Sequence, residues 1–240
     1  MKDSEFNNSQ QTCVISLQNT RFQWPGDTSP VIDIPELNVQ QGEHLFVKGP
    51  SGCGKSTLLS LLTGINTTQS GSVTILGHQL SHLSASQRDK FRADHIGYIF
   101  QQFNLLPYLS VIENVLLPCQ FSRLRKNNIS GSLQEKAVQL LNRLKLPESL
   151  LNQPVVELSI GQQQRVAAAR ALIGSPQLII ADEPTSSLDF DNRSAFIELL
   201  LEEANQVNST LVFVSHDPTL EPLFNRSINL PEVNQARKCA

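Results

Sequence analysis

Nine residues, Gly49-Pro50-Ser51-Gly52-Cys53-Gly54-Lys55-Ser56-Thr57, match the pattern G-x-x-x-x-G-K-[ST]. In such a stretch the glycines let backbone N–H groups turn inward around an anion, and a helix starting at its end adds the positive end of its dipole. The apolar run His44-Leu45-Phe46-Val47 predicts a strand entering the loop, and Ser56 to Leu62 predicts the helix leaving it, closed by Gly64. A strand, a glycine-rich turn and a helix in that order distinguish a phosphate-cradling loop from a chance match. All nine residues are therefore candidate nucleotide contacts, with Lys55 reaching the β- and γ-phosphates and the Ser56 hydroxyl ligating Mg²⁺. Cys53 lies near the start of the helix, where the dipole favours thiolate; it reads as a small residue tolerated in the loop, and bound nucleotide is expected to shield it from alkylation.

Two further strands end in polar groups suited to the same chemistry. The short apolar run Leu178-Ile179-Ile180-Ala181 closes on Asp182-Glu183, the pattern of a buried parallel strand that delivers carboxylates to the sheet edge where ligands of open α/β sheets bind. Asp182 is the natural partner of Mg²⁺, and Glu183 is placed to polarise an attacking water. A helix-capping role for the pair before Pro184-Thr185 is the competing reading. Leu211-Val212-Phe213-Val214 ends in Ser215-His216-Asp217. A histidine after a strand is commonly a structural hydrogen bonder, but three strand ends with matched polar groups favour a functional role for His216.

The stretch Leu158-Ser159-Ile160-Gly161-Gln162-Gln163-Gln164-Arg165, followed by the helix-prone Val166 to Leu172, resembles the LSGGQ signature of ATP-binding-cassette ATPases. Other positions then take the family's order. Gln101, after the strand Ile96 to Phe100, looks like the Q-loop glutamine that contacts the metal and the attacking water. Ser186-Ser187-Leu188-Asp189 resembles the D-loop, His216 the switch histidine, and Trp24 the aromatic that stacks on adenine. The resemblance runs from about Val14 to Leu230. It implies a head-to-tail homodimer with two ATP molecules between the subunits. Lys55, Gln101, Glu183 and His216 of one chain would act on each ATP, Ser56, Gln101 and Asp182 would hold Mg²⁺, and Ser159, Gly161 and Gln162 of the other chain would contact the nucleotide. The stretch from Gly97 to Val115 is similar to the subfamily of lipoprotein release and macrolide export, whose members drive a separate membrane permease. The apolar residues Phe103, Leu105, Leu106, Pro107, Tyr108 and Leu109 fall where related transporters receive a permease helix; packing inside the chain is the other reading.

One position departs from the signature. Ile160 stands in place of its first glycine, and a β-branched residue resists both positive φ and the close approach of another backbone. Neutral drift and an adapted partner contact both remain open for it.

The implied fold class is α/β: a P-loop NTPase core with a mainly parallel sheet, an N-terminal antiparallel β-subdomain and an inserted helical subdomain. In a chain of 240 residues with 40% hydrophobic composition these form one unit. The expected boundaries are 13–42 for the β-subdomain, 43–101 and 166–230 for the core, 102–165 for the helical subdomain and 231–240 for a short tail. Within the insert, Leu133, Ala137, Leu140, Leu141 and Leu144 share one helical face between Ser132 and Leu144. A formal charge of −3 gives no general attraction to nucleic acid, and the basic cluster Arg123-Leu124-Arg125-Lys126 reads as a solvated loop. The polar first eleven residues lack the apolar core of a signal peptide, no apolar run reaches the ~20 residues of a membrane span, and the four cysteines show no zinc or disulfide spacing. The chain is expected at the cytoplasmic face of the inner membrane as a peripheral subunit. The alternatives are a cassette that drives an envelope or cell-division protein without moving solute, and a soluble cassette acting on DNA or ribosomes.

Overall fold

The computed structural model describes residues 12–185 and 190–236. Two sheets organise the chain. The first is antiparallel, in the order β2-β1-β4-β5, from β1 (Cys13–Phe22), β2 (Ile32–Gln40), β4 (Ser70–Ile75) and β5 (His78–Gln79). The second is parallel, in the order β6-β7-β8-β3-β9, from β3 (His44–Lys48), β6 (Ile96–Ile99), β7 (Leu178–Asp182), β8 (Thr210–Val214) and β9 (Arg226–Asn229). β4 and β5 lie inside the stretch 43–101 that the sequence reading gives to the core, yet they complete the antiparallel sheet. The pairing of Ile15 with Ile75 and Leu17 with Val73 places four apolar side chains on one face, and that burial decides which sheet the strand joins.

The helices are α1 (Lys55–Leu62), α2 (Ala85–His95), α3 (Val111–Phe121), α4 (Arg123–Asn127), α5 (Leu133–Arg143), α6 (Ile160–Leu172), α7 (Phe190–Gln206) and α8 (Leu230–Val233). None of the described helices is long and apolar enough to cross a membrane. Three of them start with a capping box, in which the N-cap serine and the residue three further on satisfy each other's N–H groups: Ser84 with Gln87, Ser110 with Glu113 and Ser159 with Gln162. α5 presents the expected face, with Ala137, Leu140, Leu141 and Leu144 all buried.

Strand alternation divides the core in two. Leu45, Val47, Ile180, Val212 and Val214 point from the parallel sheet towards α1 and the antiparallel sheet. Phe46, Ile179, Ala181, Leu211 and Phe213 point the other way, into one continuous cluster with α3, α5, α6 and α7. The helical insert thus shares its core with the back of the parallel sheet. α4 departs from the solvated loop expected of residues 123–126. Arg125 is buried and its guanidinium donates to the carbonyls of Ala171 and Ile173 at 3.3 Å and to that of Ile96. Burial lowers its pKa to about 10, so the charge persists at neutral pH and locks α4 to the end of α6.

Candidate functional site

In the parallel sheet the order β6-β7-β8-β3 brings four strand ends into a row along one edge. Gln101 follows β6, Asp182 and Glu183 end β7, Ser215 and His216 follow β8, and the glycine-rich loop follows β3. Parallel strands all present their C-terminal ends to the same edge, so this gathering follows from topology.

The loop turns into α1 through Gly54, the N-cap, at φ 102° and ψ 10°. An L-residue occupies that left-handed region only with strain. No side chain caps the helix, which leaves its first N–H groups for a ligand. Lys55 curls back over the loop, donating to the carbonyls of Gly49 at 2.8 Å and Pro50 at 3.0 Å. A cleft of about 490 Å³ opens above, lined by Trp24, Val31, Ser51, Gly52, Gly54, Lys55, Ser56, Thr57, Gln101, Asp182 and Glu183. Trp24 makes a T-shaped contact with Phe22, ring centroids 5.0 Å apart, and is 40% exposed. Gly49, Pro50 and Cys53 do not line the cleft. The Cys53 side chain packs against the cluster shared by α1 and the two sheets, so its place in the loop does not carry its sulfur to the ligand side.

The acid pair divides into two environments. Asp182 accepts a hydrogen bond from the Tyr98 hydroxyl at 3.5 Å. Burial, and after it the charge of Glu183, raises its pKa. Tyr98 is in turn pushed well above the ordinary phenol value, by burial first and by Asp182 second. Glu183 adopts φ 45°, a left-handed backbone unusual for a residue with a long side chain. Its N–H donates to the Val214 carbonyl at 3.0 Å. Its carboxylate lies between Lys55 Nζ, at 3.8 Å, and His216 Nδ1, at 3.3 Å. The His216 side chain remains 63% exposed.

Ser159, Gly161 and Gln162 lie at the start of α6 and none lines the cleft. Ser159 is the N-cap: its hydroxyl accepts from the Gln162 N–H, and the Gln162 side chain accepts the Ser159 N–H at 2.9 Å. Ile160 opens the helix with a negative φ and is 52% exposed. The backbone objection to isoleucine therefore falls away, and only the steric one remains. Ser186 to Asp189 lie outside the described residues.

The roles of two buried polar side chains, Gln164 and Arg170, and of the half-buried Tyr98 escaped the sequence reading. Gln164 of α6 donates to the Pro184 carbonyl at 2.9 Å, beside the acid pair. Arg170 of α6 donates to the carbonyls of Phe103 and Asn104, two residues with positive φ just after Gln101. Tyr98 was visible only as part of a strand. No local pattern marks these residues, since each meets its partner across 20 or more positions.

A family model described as "ABC transporter" matches residues 32–186. The chain is 39% identical to the lipoprotein-releasing system ATP-binding protein LolD of Psychrobacter arcticus, over 81% of this chain and 84% of that protein. The chain belongs to the ABC transporter family. It is 40% identical to the uncharacterized ABC transporter ATP-binding protein YbbA of Escherichia coli, over 81% of this chain and 83% of that one. A solved dimeric ATP-binding cassette, in a post-hydrolysis state bound to ADP and Pi, superposes with a TM-score of 0.78 at 32% identity, covering 93% of this chain and 98% of that one. As an ABC ATPase this chain is an ATP-hydrolysing, nucleotide-binding transporter subunit.

Proposed function

We propose that this ABC ATPase energises a separate permease of the lipoprotein-release and export class from the cytoplasmic face of the inner membrane, closing as a head-to-tail homodimer on two ATP molecules. The observation that carries the catalytic part is Glu183, held between Lys55 Nζ and His216 Nδ1 at the mouth of the P-loop cleft. Glu183 polarises the attacking water, His216 orients it together with Gln101, and Lys55 turns from the loop carbonyls to the β- and γ-phosphates. Trp24, exposed at the cleft, stacks on adenine. Ser159, Gly161 and Gln162 of the second subunit meet the γ-phosphate with the N-terminal end of α6.

The donor set suits Mg²⁺. A serine hydroxyl, a carboxamide oxygen and a carboxylate, on Ser56, Gln101 and Asp182, are hard oxygen ligands in one cleft. The raised pKa of Asp182 marks a carboxylate that gains from a neighbouring cation. When bound, Mg²⁺ neutralises charge on the β- and γ-phosphoryl oxygens.

The likeness to LolD proteins supports the permease class. A second cavity, apolar and of about 300 Å³, supports a docking place where α3 of the helical insert meets β6 and the end of α6. Its lining includes Tyr98, Phe100, Leu117, Pro118, Phe121 and Arg170. The site differs from the one drawn from sequence: Phe103 is buried in the core, and Tyr108, 77% exposed, does not line the cavity.

The test is a pull-down of the tagged Glu183→Gln chain with Mg-ATP from detergent-solubilised native membranes. Retention of a membrane protein with few spans and a large external domain is expected, and its loss when Phe121→Asp is added. Recovery of soluble partners alone would overturn the permease reading.

A further inference from the structure

The segment 230–236 runs against the back of the P-loop. A side chain placed on Gly49 would meet Pro231 Cδ at 3.1 Å and Leu230 Cβ at 3.7 Å, so the first glycine of the loop is pressed against the start of α8. Past α8, the side chain of Asn234 makes four hydrogen bonds. Nδ2 donates to the carbonyl of Val31 at 2.9 Å and to that of Cys53 at 3.5 Å. Oδ1 accepts from the N–H groups of Asp33 at 2.7 Å and Ala236 at 3.3 Å. The Gln235 N–H adds a bond to the Asp33 carbonyl at 2.7 Å. Two carbonyls on one side and two N–H groups on the other fix the orientation of the amide, because the flipped form would oppose like groups at all four contacts.

The two donated bonds reach two segments of one cleft that meet at Gly54, where an added side chain would lie 3.2 Å from the Val31 carbonyl. Val31 lines the cleft and, through its N–H to the Phe22 carbonyl at 2.9 Å, closes the loop that carries Trp24. Cys53 lies in the P-loop between Gly52 and Gly54, which line the phosphate side. We infer that Asn234 is a positioning residue that ties the Trp24 loop to the P-loop, setting the spacing between the base-stacking wall and the phosphate-binding wall. It touches neither the water-activating carboxylate nor the nucleotide, so it governs how well ATP is held and leaves the chemical step alone. Inference and test rest on the reading of this cleft as the ATP site.

The test uses the full chain, with ATPase kinetics and competitive inhibition by inorganic tripolyphosphate. Asn234→Ala removes all four side-chain bonds. Asn234→Asp keeps an oxygen for the Asp33 and Ala236 N–H groups and turns both donated bonds into oxygen–oxygen repulsion, so the tie between the two segments is reversed while the accepted bonds remain. In both variants KM for ATP should rise about tenfold, the scale of losing two ordinary hydrogen bonds, with kcat within about twofold. The inhibition constant of tripolyphosphate, which engages the phosphate wall alone, should move less than about twofold. Unchanged KM in the Asn234→Asp variant, or ATP and tripolyphosphate weakening together, would overturn the inference. A fall in kcat at constant KM would do the same. Absence of ATPase activity in the unmutated chain would strike the reading of the cleft itself, a result distinct from any of these.

Discussion

Two helices of this protein carry the N-termini on which the proposed ATP chemistry rests, and they begin in opposite ways. α1 starts from Gly54 in a left-handed conformation with no side chain to cap it. α6 starts from Ser159 in an extended conformation and closes a complete capping box with Gln162. A missing cap costs a helix about 1 kcal/mol. α1 therefore keeps its donors for a ligand and depends on its surroundings, on Asn234 and Pro231 among them, to hold the loop in shape. α6 holds its own start rigid and is braced behind by Gln164 and Arg170. The first arrangement fits a site that binds within one chain, and the second fits a preformed surface offered to another.

This contrast can be broken at the α1 side most severely. Lys55→Ala removes the charged donor of the loop and should lower ATP affinity by roughly a hundredfold, since bonds from a charged group contribute about 1.5–3 kcal/mol each; equilibrium titration with a fluorescent ATP analogue reads this directly. Gly54→Ala comes next. It places a side chain at φ 102° and 3.2 Å from the Val31 carbonyl. The strain of about 1–2 kcal/mol should lower the unfolding midpoint by roughly 5 °C, as thermal unfolding without nucleotide would show, and should weaken ATP in step.

The cleft beside α1 also holds an electrostatic cost. Asp182 has a raised folded pKa, so the folded state binds the proton more tightly than the unfolded state. Stability from this group consequently falls as pH rises through the window from about 3.9, the unfolded value, up to the folded one, and the penalty is complete above the folded value. Asp182→Asn should therefore raise the unfolding midpoint of the nucleotide-free protein at pH 7. The gain should vanish as the pH is brought below about 4, and Mg-ATP turnover should be lost. A midpoint unchanged at pH 7 would remove the strained carboxylate from this account.

The smallest effect is expected at α6. Ile160→Gly should leave ATP binding by the single chain unchanged and turnover equal or higher, because the helix start is already capped and helical. A large loss of turnover would instead make Ile160 an adapted contact with the second subunit, and would turn the preformed surface of α6 into one matched to a particular partner face.

The parts of the site legible in the sequence are those that sit within a residue or two of a strand end or a helix start. Lys55, Gln101, Asp182, Glu183 and His216 each follow an apolar run that reads as a strand, and their meeting requires only that the strands be parallel. Ser159 and Gln162 were named through the signature; the capping box that joins them was not read, although its pattern is local. Tyr98, Gln164, Arg170 and Asn234 were not legible. Their partners lie from 20 to 203 positions away, and nothing in a tyrosine, a glutamine or an arginine states which distant carbonyl or carboxylate it will meet. Arg125 was misread for the same reason: a basic run looks solvated until the packing of α4 on the end of α6 is known.

By itself, then, the sequence determined the chemistry along one edge of a parallel sheet, since strand ends, glycine turns and caps are written in neighbouring residues and obey local backbone rules. The tertiary structure alone decided which sheet β4 and β5 complete, which buried cations brace the signature helix, and which side chain bonds both to Val31 and to the P-loop. Those choices are made by burial and by the need to pair every buried polar group, and both act between segments that meet only when the chain is folded.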